Sequence, residues 1–414
     1  MGQRAQGIVG VITLLLIAWL FSERRRRVPW RFVALGMLIQ LLLAIVFLKL
    51  PFTATLFAAI NRGVLAVQAA SQAGSRFVFG FLGGGPAPYA PSGTGSDVVL
   101  AFRFLPLIMV VSALAALLTY WRILPAVVRG LAWLVERLLG VGGAVALCSV
   151  ATPFLGMIES SILIRPYVAR LTRSELTMVM CVGLATIAGT VLVLYATMLA
   201  AVIPSSAAHL LIASVISLPA AMVIARILVP EDAAPTPGKL ALRGDVHGTF
   251  DALTQGTRQG LELFLNIVAV LLVFVALIHL LDSVLGLLPS SGGRLTLERI
   301  MGVGFAPIGW LIGIPWREAP RVGALLGTKT VLNELIAYRE LSALGEGALS
   351  ERSRLIATYA LCGFANFGSV GILVTGLSTM APARRAEIAR LGPRALIGGT
   401  LATCITAAIV GILI

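Results

Sequence analysis

Apolar residues along this chain gather into blocks of about 20, the length that carries a helix across roughly 30 Å of hydrocarbon. The first block, GIVGVITLLLIAWLF at 7–21, runs straight into ERRRR at 23–27, and a second occupies about 30–50. Further blocks lie at about 97–120, 175–202, 205–228, 263–288, 353–377 and 393–414, so eight crossings are predicted. Between the second and third, residues 52–80 alternate apolar and polar faces at helical spacing, which predicts an interfacial helix lying flat. GGGPAPYAPSGTGS (83–96) reads as a flexible outer loop and PSSGGR (289–294) as an outer turn. VPEDAAPTPGKLALRGD (229–245) reads as a polar cytoplasmic linker, leading into an amphipathic stretch that ends near Glu262.

Two regions, 138–172 and 300–345, are apolar but too interrupted by Gly, Pro and charge for one clean span. Each must also begin and end on one side of the membrane if eight crossings are to close. They are therefore predicted to be re-entrant hairpins, which are tolerated only where protein or a cavity surrounds them. The halves echo each other. GMIESSILIRPY (156–167) is followed by LTRSEL and then by GLATIAGTV, while GTKTVLNELIAY (327–338) is followed by LSERSR and then by CGFANFGSV. In each half a hairpin carries an acid, a short charged turn follows, and a helix is broken by glycine and small polar residues. Opposite entry sides make this an inverted repeat, an arrangement in which transporters place substrate and ion sites near the midplane.

The expected fold class is thus an all-α polytopic membrane protein with eight transmembrane helices and two oppositely oriented re-entrant hairpins. The expected organisation is two N-terminal helices (1–50), an interfacial and a scaffold helix (51–137) and a first transport half (138–228). A linker with a second scaffold helix (229–299), a second transport half (300–392) and a final helix (393–414) complete it.

Composition agrees with this picture and removes competitors. The chain is 58% hydrophobic and 12% charged, with mean hydropathy +0.97, a balance that leaves too little polar surface for a soluble domain of 414 residues. The net charge of +14 would suggest nucleic acid in a soluble protein. Here it reflects arginines gathered in cytoplasmic loops. ERRRR follows its apolar block and does not precede it, so the first span is no cleaved signal and its N-terminus faces outward. Counting crossings from there puts Arg384, Arg385, Arg390 and Arg394 in the cytoplasm and both termini outside, in a multi-pass protein of the inner membrane. Cys148, Cys181, Cys362 and Cys404 fall in apolar segments and read as packing residues, and His209, His247 and His279 show no ligand spacing.

Glu159 and Glu334 are the strongest chemical signals. A carboxylate at hydrocarbon depth costs a few kcal/mol, so it normally faces a cavity and has a partner. Ionised, it can accept hydrogen bonds from vicinal hydroxyls or an N–H edge; it can also carry a proton. The competing reading is a structural ion pair, Glu159 with Arg165 or Glu334 with Lys329. ATIAGT (185–190) and FANFGS (364–369) suggest unwound backbone whose carbonyls and hydroxyls suit Na+, while Asn366 and Ser369, at i and i+3, share a helix face. Arg165 reads as structural, snorkelling beside Pro166 and Tyr167.

Together, GMIESSILIRPY, LLGTKTVLNELIAY and ATYALCGFANFGSVGI resemble the concentrative nucleoside transporter family in order and spacing over about 97–414. The resemblance implies a homotrimer in which a scaffold surrounds a mobile transport domain. It also implies nucleoside import with Na+ or H+ by an elevator-like movement, with no other cofactor and no nucleic-acid partner. It gives Glu334, Asn366 and Ser369 to the ribose hydroxyls, Phe364 to the pocket lining and Val191 to base packing. The family's first-hairpin tip reads G-Q-T-E-A-P, where this chain has Gly156-Met157-Ile158-Glu159-Ser160-Ser161. The acid is kept, but two hydrogen-bonding side chains that address the base are replaced by apolar ones, so a modified or conjugated nucleoside, or another solute on the same fold, is an alternative substrate. For the cation the resemblance implies Thr152 and Thr186 by side chain and Leu155 and Ile187 by carbonyl. The family usually has Asn at the first; Thr152 offers one oxygen, which leaves H+, through Glu159, as the alternative coupling ion. A passive channel is the other reading, and no Ser–His, Cys–His, metal or nucleotide-binding pattern suggests an enzyme.

Overall fold

The computed structural model describes residues 2–50, 52–88, 99–238, 246–288, 294–345 and 347–414, and among them there are helices and turns but no strand. Part of the outer loop (89–96), the end of the linker (239–245) and most of the turn at 289–294 fall outside the described residues. The chain runs through α1 (Gln3–Leu20), α2 (Trp30–Lys49), α3 (Phe52–Phe79), α4 (Leu100–Arg103), α5 (Leu107–Tyr120) and α6 (Ile123–Leu139). The first transport half holds α7 (Gly143–Leu155), α8 (Met157–Ile162), α9 (Arg165–Val168), α10 (Arg173–Ala185), α11 (Gly189–Leu199) and α12 (Ser206–Leu228). Then come α13 (Thr249–Leu285), α14 (Leu297–Leu311), α15 (Ala319–Val331), α16 (Glu334–Ala343), α17 (Glu351–Leu361), α18 (Phe367–Met380) and α19 (Arg385–Leu413).

Among the described residues, seven stretches are long and apolar enough to cross a membrane: α1, α2, α4–α5, α10–α11, α12, α13 and α19 with its preceding turn. The eighth expected crossing is α17–α18, divided at 362–366, a longer break than the 186–188 interruption across which α10–α11 still counts as one span. Two other expectations change in detail. The amphipathic stretch before 263 and the span after it form a single helix, α13, whose 37 residues extend about 55 Å. The region 300–345, read as one hairpin, resolves into α14 and a shorter hairpin, α15–α16. Small residues explain why the pair α14–α15 looked like hairpin arms. A Cβ on Gly323 would sit 2.6 Å from the Gly302 carbonyl oxygen, and one on Gly309 would sit 3.0 Å from that of Ala319. Such helices pack backbone against backbone.

The buried core is the bundle of α10, α12, α17 and α19, with α1 lying along α19 and α2 along α12. Helices α5 and α13 pack on each other and meet that bundle through α11 and α14. The charged turns of the two repeats turn out to be helix starts. Thr172 accepts from the Glu175 amide at 3.0 Å while Glu175 accepts from the Thr172 amide at 3.0 Å, closing a capping box at the head of α10. Ser350 accepts from the Ser353 amide at 3.3 Å at the head of α17.

An ionic cluster ties this framework together at the end where the arginines collect. Glu23, in the α1–α2 turn, accepts from Arg173 at 2.7 and 3.1 Å and lies 3.3 Å from Arg394, and Arg173 reaches Glu387 at 3.5 Å. The Arg173 guanidinium bonded to Glu23 holds its carboxyl below the ordinary value of 4.5. A depressed carboxylate contributes stability above its unfolded pKa and loses it as pH falls through the folded one. The melting temperature in detergent is therefore expected to fall on acidification below pH 4.5, with Glu23→Gln showing a flatter acid limb. Parallel acid limbs for the two proteins would remove Glu23 from the account.

Candidate functional site

Both repeats deliver a break in a helix to the same place. α10 ends at Ala185 and α11 begins at Gly189; α17 ends at Leu361 and α18 begins at Phe367. The two unwound segments lie on each other. The Phe364 amide donates to the Thr186 carbonyl at 3.3 Å, and a Cβ on Gly363 would meet the Leu184 carbonyl oxygen at 2.8 Å.

Glu334 sits at this crossing as the first residue of α16, just past the hairpin turn, and is 4% exposed. Both its oxygens are engaged: Tyr195 Oη donates to Oε1 at 2.6 Å and Asn366 Nδ2 donates to Oε2 at 3.0 Å. Hydrogen bonds to an ionised acceptor contribute about 1.5–3 kcal/mol each, so this carboxylate is strongly positioned. Asn366 does not lie within a helix beside Ser369, as the spacing suggested. It caps α18: its Oδ1 accepts from the Ser369 amide at 2.7 Å, which turns its amide nitrogen toward Glu334. Ser369 is brought to the site by the same cap. Val191, buried on α11, shares a face with Tyr195 four residues on, and Phe364 is half-buried in the second break.

The ion-pair reading of these acids does not hold among the described residues. Lys329, 1% exposed, does not bond Glu334; its Nζ donates to the Ala360 carbonyl at 2.8 Å and to Thr403 Oγ1 at 3.1 Å. Glu159 and Arg165 are both exposed and form no ion pair there. Gly156 explains how the chain turns into α8: its φ of 112° is open to glycine alone at little cost, and a Cβ would stand 2.7 Å from Glu159 Oε2. Met157 packs against α10, its Cβ 3.1 Å from where a Gly183 Cβ would be, and the Ile158 side chain fills the space that Gly376 leaves on α18. The hairpin tip thus grips both broken helices through its two apolar residues.

Family models match the chain in consecutive pieces. Residues 9–82 match the Na+ dependent nucleoside transporter N-terminus, 101–202 a nucleoside recognition gate and 209–411 the Na+ dependent nucleoside transporter C-terminus. The chain is 33% identical to the nucleoside permease NupC of Helicobacter pylori, over 98% of its own length and 97% of that protein's. It belongs to the concentrative nucleoside transporter family. It is 36% identical to the uncharacterized transporter YutK of Bacillus subtilis over 99% of both chains. It is also 35% identical to mouse solute carrier family 28 member 3, covering 98% of this chain but 58% of the mouse protein. The fold follows that of CNTnw in an inward-facing substrate-bound state, with TM-score 0.89 and 34% identity over 99% of this chain and 98% of that one. A CNTnw double variant in an outward-facing state matches at TM-score 0.90, with the same identity and coverage.

For a family whose relatives use Na+, the oxygens of the first repeat are a fitting set. Thr152 Oγ1 donates to the Cys148 carbonyl at 2.7 Å and Thr186 Oγ1 to the Val182 carbonyl at 2.9 Å, so each hydroxyl spends its proton on the backbone and keeps acceptor capacity, which Thr152 shares with Ser160 at 3.0 Å. Leu155 ends α7 and Ile187 lies in the break; among the described residues neither carbonyl accepts a backbone hydrogen bond. The two segments abut: a Cβ on Gly189 would meet the Phe154 carbonyl oxygen at 3.0 Å. Sequence reasoning missed two members of the site. Ser160 lies 3.0 Å from Thr152, and Tyr195 holds Glu334. A lone tyrosine in an apolar run was the available signal, because a buried phenol needs a partner.

Proposed function

We propose that this chain imports nucleosides across the inner membrane by Na+ symport, Glu334 accepting the ribose hydroxyls. The observation that carries this is Glu334 held at both oxygens where the second hairpin meets the two broken helices. A ribose that exchanges for the tyrosine and asparagine donors finds a carboxylate already oriented, with Asn366 and Ser369 beside it. The first repeat supplies the cation oxygens, Thr152, Thr186, Leu155 and Ile187. The α5–α13 pair, packed on itself more closely than on the hairpin-bearing bundle that it meets through α11 and α14, supports an elevator movement against a fixed scaffold. The exposed length of α13 supports trimerisation through that scaffold, which native mass spectrometry at three chain masses would check. Right-side-out vesicles should accumulate labelled uridine above the outside concentration under an inward Na+ gradient and not under a pH gradient alone. Equilibration without accumulation would mean a passive pore, and pH-driven accumulation would mean H+ coupling, with Glu159 as its carrier.

The base side is where this transporter departs from the family pattern. Met157 and Ile158 stand where Gln and Thr are usual, and their side chains pack on Gly183 and Gly376. We read this as a site selective for a nucleoside whose base needs no hydrogen bonds there. Each restored bond contributes about 0.5–1.5 kcal/mol, so Met157→Gln with Ile158→Thr should tighten uridine binding roughly tenfold. Unchanged affinity in the double variant would remove these residues from base selection.

A further inference from the structure

Lys329 is a buried cation with no carboxylate attached. Among the described residues it enters no ion pair, and Glu334, the nearest acid along the chain, is already bonded by Tyr195 and Asn366. Its partners are two neutral oxygens. One is the Ala360 carbonyl in the last turn of α17, at the edge of the second break; the other is Thr403 Oγ1 on α19. An ammonium held by uncharged oxygens at the carbonyl end of a helix is favoured there by the helix dipole. It is also the environment in which a small cation would be bound.

The inverted repeat gives this arrangement its meaning. In the first half, the last turn of α7 carries Thr152, and the end of α10 passes into the break at Thr186 and Ile187. In the second half, the last turn of α15 carries Lys329, and the end of α17 passes into the break at 362–366. The same two kinds of element meet in each: the first arm of a hairpin and the carbonyl end of a broken helix. In one half the hairpin arm brings a hydroxyl and leaves the oxygens for a mobile cation. In the other it brings the cation itself, on a tether.

We infer that the Lys329 ammonium is a tethered cation filling the second-half counterpart of the coupling-ion site, leaving one exchangeable cation site per chain. The inference rests on the cation reading of the first half given above. Removing the side chain would open a cation-sized space lined by the Ala360 carbonyl and Thr403.

The test uses the full-length protein in detergent, in choline, sodium and methylammonium chlorides at equal ionic strength. Lys329→Ala leaves the buried Ala360 carbonyl and Thr403 hydroxyl without their donor and is expected to melt about 5 °C or more below wild type in choline. Methylammonium and Na+ should each restore at least half of that loss in a saturable way, and methylammonium should not stabilise wild type. In vesicles, the Na+ dependence of uptake should rise from a Hill coefficient of about 1 in wild type toward about 2 in Lys329→Ala. Lys329→Gln keeps an NH donor on an arm one bond shorter and removes the charge, and should transport at least tenfold more slowly than Lys329→Arg. Equal instability of Lys329→Ala in all three salts, or wild-type uptake by Lys329→Gln, overturns the inference. Wild-type uptake indifferent to Na+ would instead defeat the first-half reading, and the methylammonium response of Lys329→Ala is read independently of it.

Discussion

Replacing Glu334 with glutamine is expected to weaken nucleoside binding by about 3 kcal/mol, roughly a hundredfold, while leaving the protein folded. Glutamine keeps the shape but turns one acceptor oxygen into an NH2 donor. The carboxylate now receives Tyr195 Oη on one oxygen and Asn366 Nδ2 on the other, so one amide orientation sets NH2 against the Asn366 NH2 and the other forces the Tyr195 hydroxyl to turn from donor to acceptor. It also removes the charge that makes these bonds, and those to a ribose, stronger than neutral ones. Glu334→Asp retains charge on a shorter arm and should fall between the two. Titration of purified protein with uridine, by calorimetry or thermal shift, measures all three. An affinity for Glu334→Gln within threefold of wild type would show that the sugar is held elsewhere.

The second large effect is expected from Gly363. It lies where the two unwound segments touch, and an added Cβ would stand 2.8 Å from the Leu184 carbonyl oxygen, 2.9 Å from Thr403 Cγ2 and 3.0 Å from the Ala185 carbonyl carbon. Two of those neighbours are backbone, which cannot rotate away. Gly363→Ala should destabilise by about 1–3 kcal/mol, and Gly363→Val by more, because overpacking here pushes one break off the other. Uptake should drop further than stability does, since the separation also moves Phe364 and Asn366. The measurement pairs a melting curve with initial uptake rates from matched amounts of folded protein. A Gly363→Val protein that melts and transports like wild type would mean that the two breaks are free to move apart.

Much of this architecture was legible before any coordinates. Apolar blocks set the crossings, and the crossing count pointed to re-entrant hairpins around Glu159 and Glu334, although the second proved shorter than the interrupted region because α14 precedes it. LTRSEL and LSERSR read as charged turns, and the Thr and Ser that cap α10 and α17 within them show that they are helix starts. What stayed hidden was pairing across sequence distance. Nothing near Tyr195 says that its hydroxyl meets an acid 139 positions away, nor that Lys329 passes over Glu334 to reach the Ala360 carbonyl. Helical spacing misled at Asn366, because a break resets the periodicity and made a cap look like a face. At α14 the sequence misled for a different reason. Its glycines and Pro307 mimic a hairpin arm, and only contact with α15 shows that they serve helix packing.

One short contact between the halves has a thermodynamic consequence. The Phe364 amide bonds the Thr186 carbonyl, so the segment that would gather around Na+ and the segment that would present Phe364 and Asn366 to substrate share a hydrogen bond. Ordering one of them removes part of the entropy that ordering the other must otherwise lose. Linkage then requires reciprocity: whatever factor Na+ adds to nucleoside affinity, the nucleoside adds to Na+ affinity. Where both bind at these segments, the half-loaded carrier is thereby less populated than the empty or the fully loaded one.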